Sequence, residues 1–362
     1  MELKVFKHRK MLNHTVKAIE KGELTLGFIG GSITDPRGKN RWTEPVVAWF
    51  SKMFPNIKIY VENAAIGATG SELAVFRVKR DLIERNCDLV FVEFAVNDNG
   101  EIPEKRFRTR EGLIRKLLQD GKRDLVLTYT FMMDMYDDMV NGKIPDSVND
   151  FEILAEHYNI SSVWMGLYAL EQVKAGQVRW EEWIPDGLHP ENRGSLIYGE
   201  SVIKFLDKEL KEKSIDNIGY EMPQAYNFCN WEKAYLLPFS EVNLKGPWII
   251  RRWTTVEWMD QVIDTAAVGA RLSFTFTGRG LALGFDFGKT SAEFRYKIDG
   301  GQWKEEVRER PDWCPDEGWY RISCITDELT SNKHEFELEV IHGNRPECMG
   351  TNFRLSMIGI VP

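Results

Sequence analysis

The sequence predicts an α/β domain built on a parallel sheet, followed by an antiparallel β-sandwich, and three observations carry that prediction. Residues 24–210 alternate short, nearly continuous apolar runs with longer amphipathic stretches, the pattern of strands buried on both faces and covered by helices. From about Ile215 the texture changes to β-rich segments in which polar and apolar residues alternate between glycine-rich turns, as in a sandwich with one wet face. The length, 362 residues, accommodates two such domains.

In the first domain, residues 1–214, the apolar runs Leu24–Ile29, Ile57–Val61, Leu89–Ala95 and Leu125–Thr130 are expected as buried strands. Helices are expected near Thr43–Met53, Ser71–Arg85, Arg110–Gln119 and Ser147–His157. A last helix follows His189-Pro190, from about Glu191 to Lys211, and the charged run Lys208–Lys213 closes the domain. The second domain, 215–362, opens with a connector, 215–245, that holds Pro223, Pro238 and Asn227–Trp231 and is expected to pack against both domains. Its strands are expected at Arg271–Phe276, Leu281–Phe287, Ala292–Ile298, Trp319–Ile325 and Phe336–His342. Thr-Gly-Arg-Gly, Asp-Gly-Gly and His-Gly-Asn supply turns between them.

Composition excludes several classes. Hydrophobic residues at 43% against 28% charged provide for a packed core and exclude global disorder. A formal net charge of −8 argues against nucleic-acid and anionic-membrane partners, which need a basic surface. No apolar run approaches the ~18–20 residues that span a bilayer, and the charged start, Met1 to Lys10, does not read as a secretory signal. The five cysteines, Cys87, Cys229, Cys314, Cys324 and Cys348, are scattered without a Cys-x-x-Cys pair, so neither a zinc site nor a dithiol is expected. Free thiols suit a reducing compartment, and the expected location is the cytoplasm. The oligomeric state is not readable; a homodimer is compatible with the sequence.

Four segments carry chemistry. In Leu24-Thr-Leu-Gly-Phe-Ile-Gly-Gly-Ser32 a strand runs directly into two glycines and a serine, which presents a hydroxyl at the carboxyl edge of the sheet. Alone it is weak evidence, since most such segments are simply turns. In Asp186-Gly-Leu-His189 a carboxylate three residues before a histidine can hold Nδ1 and leave Nε2 as a base, the acid–histidine half of a nucleophilic triad. Asn63-Ala-Ala-Ile-Gly67 and Ala95-Val-Asn97-Asp98 follow the second and third strands. They lie on the edge expected for Ser32, so the N–H groups of Ser32 and Gly67 and the Asn97 amide are candidate oxyanion donors. Asp98 either contacts substrate or fixes its loop. Glu93, inside a strand, is expected to pair with a basic neighbour.

Together these segments resemble the SGNH hydrolases, the GDSL-like esterases, over roughly residues 22–210. The nucleophile block matches Gly30-Gly31-Ser32-Ile33-Thr34, the glycine block Asn63 to Gly67, the asparagine block Asn97-Asp98 and the closing Asp-x-x-His block Asp186 to His189. Gly31 replaces the aspartate of the Gly-Asp-Ser form, and Ala95 stands where a glycine often precedes the x-Asn-Asp. The resemblance implies a flavodoxin-like three-layer αβα domain, with Ser32, His189 and Asp186 as catalytic triad. It also implies Ser32, Gly67 and Asn97 as oxyanion hole, and chemistry without metal or organic cofactor.

The second domain, with Phe274-Thr-Phe-Thr-Gly278-Arg-Gly280 and Tyr296-Lys-Ile-Asp299-Gly-Gly-Gln-Trp303, looks like the jelly-roll-like, carbohydrate-binding-like modules attached to carbohydrate esterases. That domain order resembles carbohydrate esterase family 17, mannan O-acetylesterases. It implies an acetylated manno-oligosaccharide as partner, with 2-O-acetyl mannose favoured. An acetylesterase for another glycan such as xylan, and a carbohydrate-binding protein with a vestigial hydrolase site, are the alternatives. Trp42, Trp183, Trp303, Trp313 and Trp319 are candidate sugar-stacking residues, with Asp98 as a candidate polar contact, since sugar rings offer apolar faces.

Overall fold

The computed structural model describes residues 3–211, 221–253, 259–306, 312–316, 318–346 and 348–362. The end of the charged run at Lys213 and the first residues of the connector, 215–220, lie outside the described residues. The chain divides into two compact units, Met1–Glu232 and Lys233–Pro362.

The first unit is a six-stranded sheet: β1 (Phe6–Lys7), β2 (Glu23–Gly30), β3 (Lys58–Asn63), β4 (Leu89–Glu93), β5 (Asp124–Thr128) and β6 (Ser161–Val163). The spatial order is β1-β6-β5-β4-β2-β3. All neighbours are parallel except β1, which adds antiparallel to β6. Without β1 this is the 2-1-3-4-5 order of flavodoxin-like folds, whose ligand crevice opens at the carboxyl ends where the order reverses. Here that point lies between β2 and β4. Leu24, Leu26, Phe28 and Ile29 of β2 and Leu89 to Val92 of β4 are fully buried, as their unbroken apolar character requires. The strand expected at 57–61 is instead the exposed edge strand β3, with Tyr60 and Val61 open to solvent.

The helices are α1 (Asn13–Lys21), α2 (Thr43–Met53), α3 (Ser71–Val78), α4 (Pro103–Leu118), α5 (Tyr136–Val140), α6 (Asp146–His157), α7 (Met165–Lys174), α8 (Trp180–Trp183) and α9 (Asn192–Lys211). α3 is shorter than expected because a π-helical turn, Lys79–Ile83, continues it. α4 starts seven residues before the expected Arg110, with Pro103 in its first turn, where a missing N–H costs nothing.

The connector meets both units, as expected: Tyr235–Leu236 and Asn243–Lys245 pair with strands of the second, and the stretch before them holds to the first. Glu111 of α4 accepts the N–H groups of Tyr226 and Asn227 at 2.5 and 2.8 Å. Arg115 donates to the Pro223 carbonyl at 2.9 Å and to Glu232 at 2.5 Å, and Trp231 is fully buried. Its described part up to Glu232 therefore belongs with the first unit, Met1–Glu232.

The second unit holds two antiparallel sheets. One runs β15 (Trp319–Thr326), β12 (Gly280–Phe287), β17 (Phe353–Val361), β10 (Gln261–Thr265), β9 (Ile249–Arg252), with β7 (Tyr235–Leu236) also on β17. The other runs β14 (Lys304–Glu305), β13 (Glu293–Ile298), β16 (Lys333–Ile341), β11 (Arg271–Thr277), β8 (Asn243–Lys245). Alternate residues of both, among them Leu272, Phe274, Leu283, Phe285, Phe294, Phe336 and Leu355, form one buried core, so the sandwich expectation holds.

Candidate active site

β2 delivers its chain into Gly30, Gly31 and Ser32 at the carboxyl edge. The turn is fixed from below. Glu93, the last residue of β4, is fully buried and accepts Thr130 Oγ1 at 2.7 Å and Thr34 Oγ1 at 3.1 Å, as well as the Gly31 N–H. Thr34 Oγ1 in turn accepts the Trp42 indole N–H at 3.0 Å. Glu93 thus has hydroxyl and amide partners, not the basic neighbour expected from sequence. Burial raises its pKa above the ordinary carboxylate value despite those hydrogen bonds.

The acid–histidine loop comes from the other side. Its carboxylate closes the loop on itself: Asp186 Oδ1 accepts the N–H groups of Leu188 and His189 at 2.9 and 2.7 Å, and Oδ2 faces His189 Nδ1 at 2.9 Å. A carboxylate only accepts, so Nδ1 carries the proton and Nε2 is bare. Nε2 lies 3.0 Å from Ser32 Oγ, positioned to accept the hydroxyl proton. Burial pushes the Asp186 pKa up, but the imidazole and the two amides outweigh it and hold the carboxyl below its usual value. Gly187 turns the loop at φ 78, the left-handed region that favours glycine.

Asn97 follows β4, with its carboxamide lying directly over Gly31. A Cβ at position 31 would overlap the Asn97 side chain, so glycine there, in place of the aspartate of the Gly-Asp-Ser form, is what makes room for the amide. Asn97 Oδ1 is buried without a donor, leaving the NH2 group as the donating end. Among the described residues, no protein acceptor takes either that group or the Ser32 N–H. The Gly67 N–H differs from expectation: it donates to Asp35 Oδ2 at 2.7 Å. The structure thus brings together Ser32, His189, Asp186 and Asn97, and commits Gly67 to a buried carboxylate.

Three of the candidate substrate residues are corrected. Trp42 is fully buried, packed edge-on against Phe28 and Phe91. Trp183 is fully buried between Phe131, Trp180 and Tyr198, with no ring face open for stacking. Asp98 is also buried; it accepts the Ser71 N–H at 2.9 Å, Ser71 Oγ at 2.7 Å and Arg110 Nε at 2.8 Å, clamping the start of α3. In the second unit, Trp303 is half-buried with the Arg295 guanidinium 4.9 Å and the Lys297 ammonium 5.1 Å from its ring centre. Its ring is therefore engaged by its own sheet. Trp313 is 58% exposed and meets Trp319 edge-to-face at 5.9 Å. Sequence reasoning missed Asp35 and Thr34, which carry no signal beyond following the nucleophile. Among the described residues no group of three or more His, Cys, Asp or Glu side chains is gathered as metal ligands would be.

No family model matches the chain, and no curated protein does. Solved structures do. A two-domain esterase (CEX) active on acetylated mannans is similar at TM-score 0.82 and 22% identity, over 98% of this chain and 96% of that one. The same esterase co-crystallized with mannopentaose matches at TM-score 0.81, again at 22% identity, over 98% and 95%. Axe2, an acetylxylan esterase from Geobacillus stearothermophilus, matches at TM-score 0.41 and 20% identity over 51% of this chain and 94% of its own. Over practically its whole length, then, the chain has the fold of the two-domain esterase active on acetylated mannans.

Proposed function

We propose that the protein is a serine esterase that removes acetyl groups from O-acetylated manno-oligosaccharides, 2-O-acetyl mannose being the favoured substrate. The observation that carries the reading is the continuous relay Ser32–His189–Asp186, with spacings of 3.0 and 2.9 Å, beside the two donors of Ser32 and Asn97. The substrate class is supported by the whole-chain likeness to an esterase active on acetylated mannans.

His189 Nε2 takes the Ser32 proton as Oγ attacks the acetyl carbonyl, and Asp186 holds the imidazolium that forms. The Ser32 N–H and the Asn97 NH2 group stabilise the tetrahedral oxyanion. Collapse breaks the ester bond, His189 gives its proton to the departing sugar hydroxyl, and an acetyl group remains on Ser32. Water, deprotonated by His189, attacks that acyl group; the bond to Ser32 Oγ breaks as His189 returns the proton to it, and acetate is released. Nucleophile, base and charge stabilisation all come from the chain itself, so the proposed reaction uses no cofactor. A reducing, intracellular setting suits the five scattered cysteines. Trp303, Trp313 and Trp319 are the remaining candidates for stacking on sugar, in their own unit.

Ser32→Ala and His189→Ala are each expected to lower kcat for acetate release by about 10³-fold or more while the thermal melt is kept. Near-normal turnover in either variant refutes the reading, and absence of turnover of an aryl acetate by the unmodified chain favours a vestigial site. NMR of an acetylated manno-oligosaccharide mixture identifies which acetyl groups vanish. Preference for acetylated xylan would keep the chemistry and overturn the substrate.

A further inference from the structure

The nucleophile turn holds a carboxylate that this reaction does not use. Asp35 is buried, and its N–H bonds the Gly31 carbonyl at 3.0 Å, which sets it one turn beyond Ser32. Its Oδ2 accepts the Gly67 N–H at 2.7 Å. Arg37 closes a fork on the same group, with Nε 3.0 Å from Oδ1 and Nη2 2.5 Å from Oδ2, and its own N–H reaches Oδ1 at 2.8 Å. The Gly67 peptide is in turn fixed beside the nucleophile. Ile66 N–H bonds the Gly30 carbonyl at 3.0 Å, and Ala68 sits at φ 58, a conformation a non-glycine residue keeps only where its surroundings impose it.

An unbalanced anion so close to Ser32 would oppose the oxyanion that forms during acyl transfer, because interactions between charges are strong where water is excluded. We propose that Asp35 and Arg37 are a charge-balanced positioning pair for the nucleophile turn, residues 30–35. Asp35 fixes the Gly67 peptide, and Arg37 cancels the charge that would otherwise raise the barrier. The catalytic half of this proposal rests on the serine-esterase reading; the clamp on Gly67 does not.

The test is kinetic and spectroscopic. On an aryl acetate, Arg37→Met is expected to lower kcat about tenfold with KM within about twofold, since it leaves an unscreened carboxylate near the reacting centre. Adding Asp35→Asn, which keeps an acceptor for Gly67 and removes the charge, is expected to restore kcat about fivefold. A merely structural ion pair would shift the unfolding midpoint in Arg37→Met and leave kcat per folded enzyme unchanged in both variants. An Arg37→Met enzyme with unchanged kcat, or a double variant no better than the single, overturns the charge role. Independently, amide hydrogen exchange at Gly67 is expected to be slow in the unmodified chain and in Asp35→Asn, and about tenfold faster in Asp35→Ala. Fast exchange in the unmodified chain overturns the clamp. Turnover that survives Ser32→Ala refutes the esterase reading instead, and the exchange result still decides the clamp.

Discussion

The nucleophile turn and the acid–histidine loop meet at one rim but are held in opposite ways. Residues 30–35 rest on a buried network of Glu93, Thr34, Thr130 and Trp42, contributed by segments far apart in the chain. Residues 186–189 stand largely in solvent and are shaped by the bonds of Asp186 to its own loop. On the proposed esterase reading, the nucleophile must meet an ester within tenths of an ångström of its donors, and its coordinates are set by the core. The imidazole has to reach one oxygen, and a self-closed loop suffices.

That contrast can be broken from either side. The largest effect is expected at the loop: Asp186→Asn removes the acceptor that keeps the proton on Nδ1 and should lower kcat by up to about 10⁴-fold, while denaturant midpoints stay close to those of the unmodified chain. A large stability loss there would mean that the loop is part of the core after all. Next comes Gly31→Ala, whose Cβ collides with the Asn97 carboxamide; displacing one oxyanion donor is expected to cost about 10²–10³ in kcat. A crystal structure of the variant with Asn97 unmoved would refute this. Glu93→Gln, which disturbs the buried network, is expected to lower stability by about 1–3 kcal/mol in chemical unfolding, whereas an unchanged midpoint would show that the turn is self-supporting.

The smallest effect is on acid stability. Burial opposes ionisation of Asp186, but His189 and the amides of Leu188 and His189 overcome it, so its folded-state pKa lies below the unfolded one. Its contribution is therefore present above the ordinary carboxylate pKa and lost as pH falls through the folded value. Because the side chain is half exposed, the slope of unfolding free energy against pH below about pH 4 should differ only slightly between the unmodified chain and Asp186→Asn.

Much of this was legible before any coordinates, for reasons that differ by residue. Continuous apolar runs gave β2 and β4 to within two residues, because only burial on both faces accounts for them. The start of α4 is hidden from the sequence pattern because its first half is polar. Arg106 and Arg110 are buried there by bonds to Asp150, Asp98 and Ser147, and ion pairing leaves no apolar period to follow. Trp42 and Trp183 were misread for a related reason. Nearness to a motif in sequence says nothing about which side of the turn an indole faces, and both point into the core.

By itself, the sequence determined the edge of the sheet at which the candidate groups gather. A hydroxyl, an amide and an acid–histidine pair each follow or flank elements whose hydrophobic pattern forces them to one rim of a parallel sheet. Only the tertiary structure decided which donor meets which acceptor: that Asn97 lies on Gly31, that Glu93 is held by hydroxyls, and that the Gly67 amide goes to Asp35, 32 residues away. Periodicity is a property of a few consecutive residues, whereas a hydrogen bond between loops depends on the paths of both chains, which are fixed only when the whole sheet has closed.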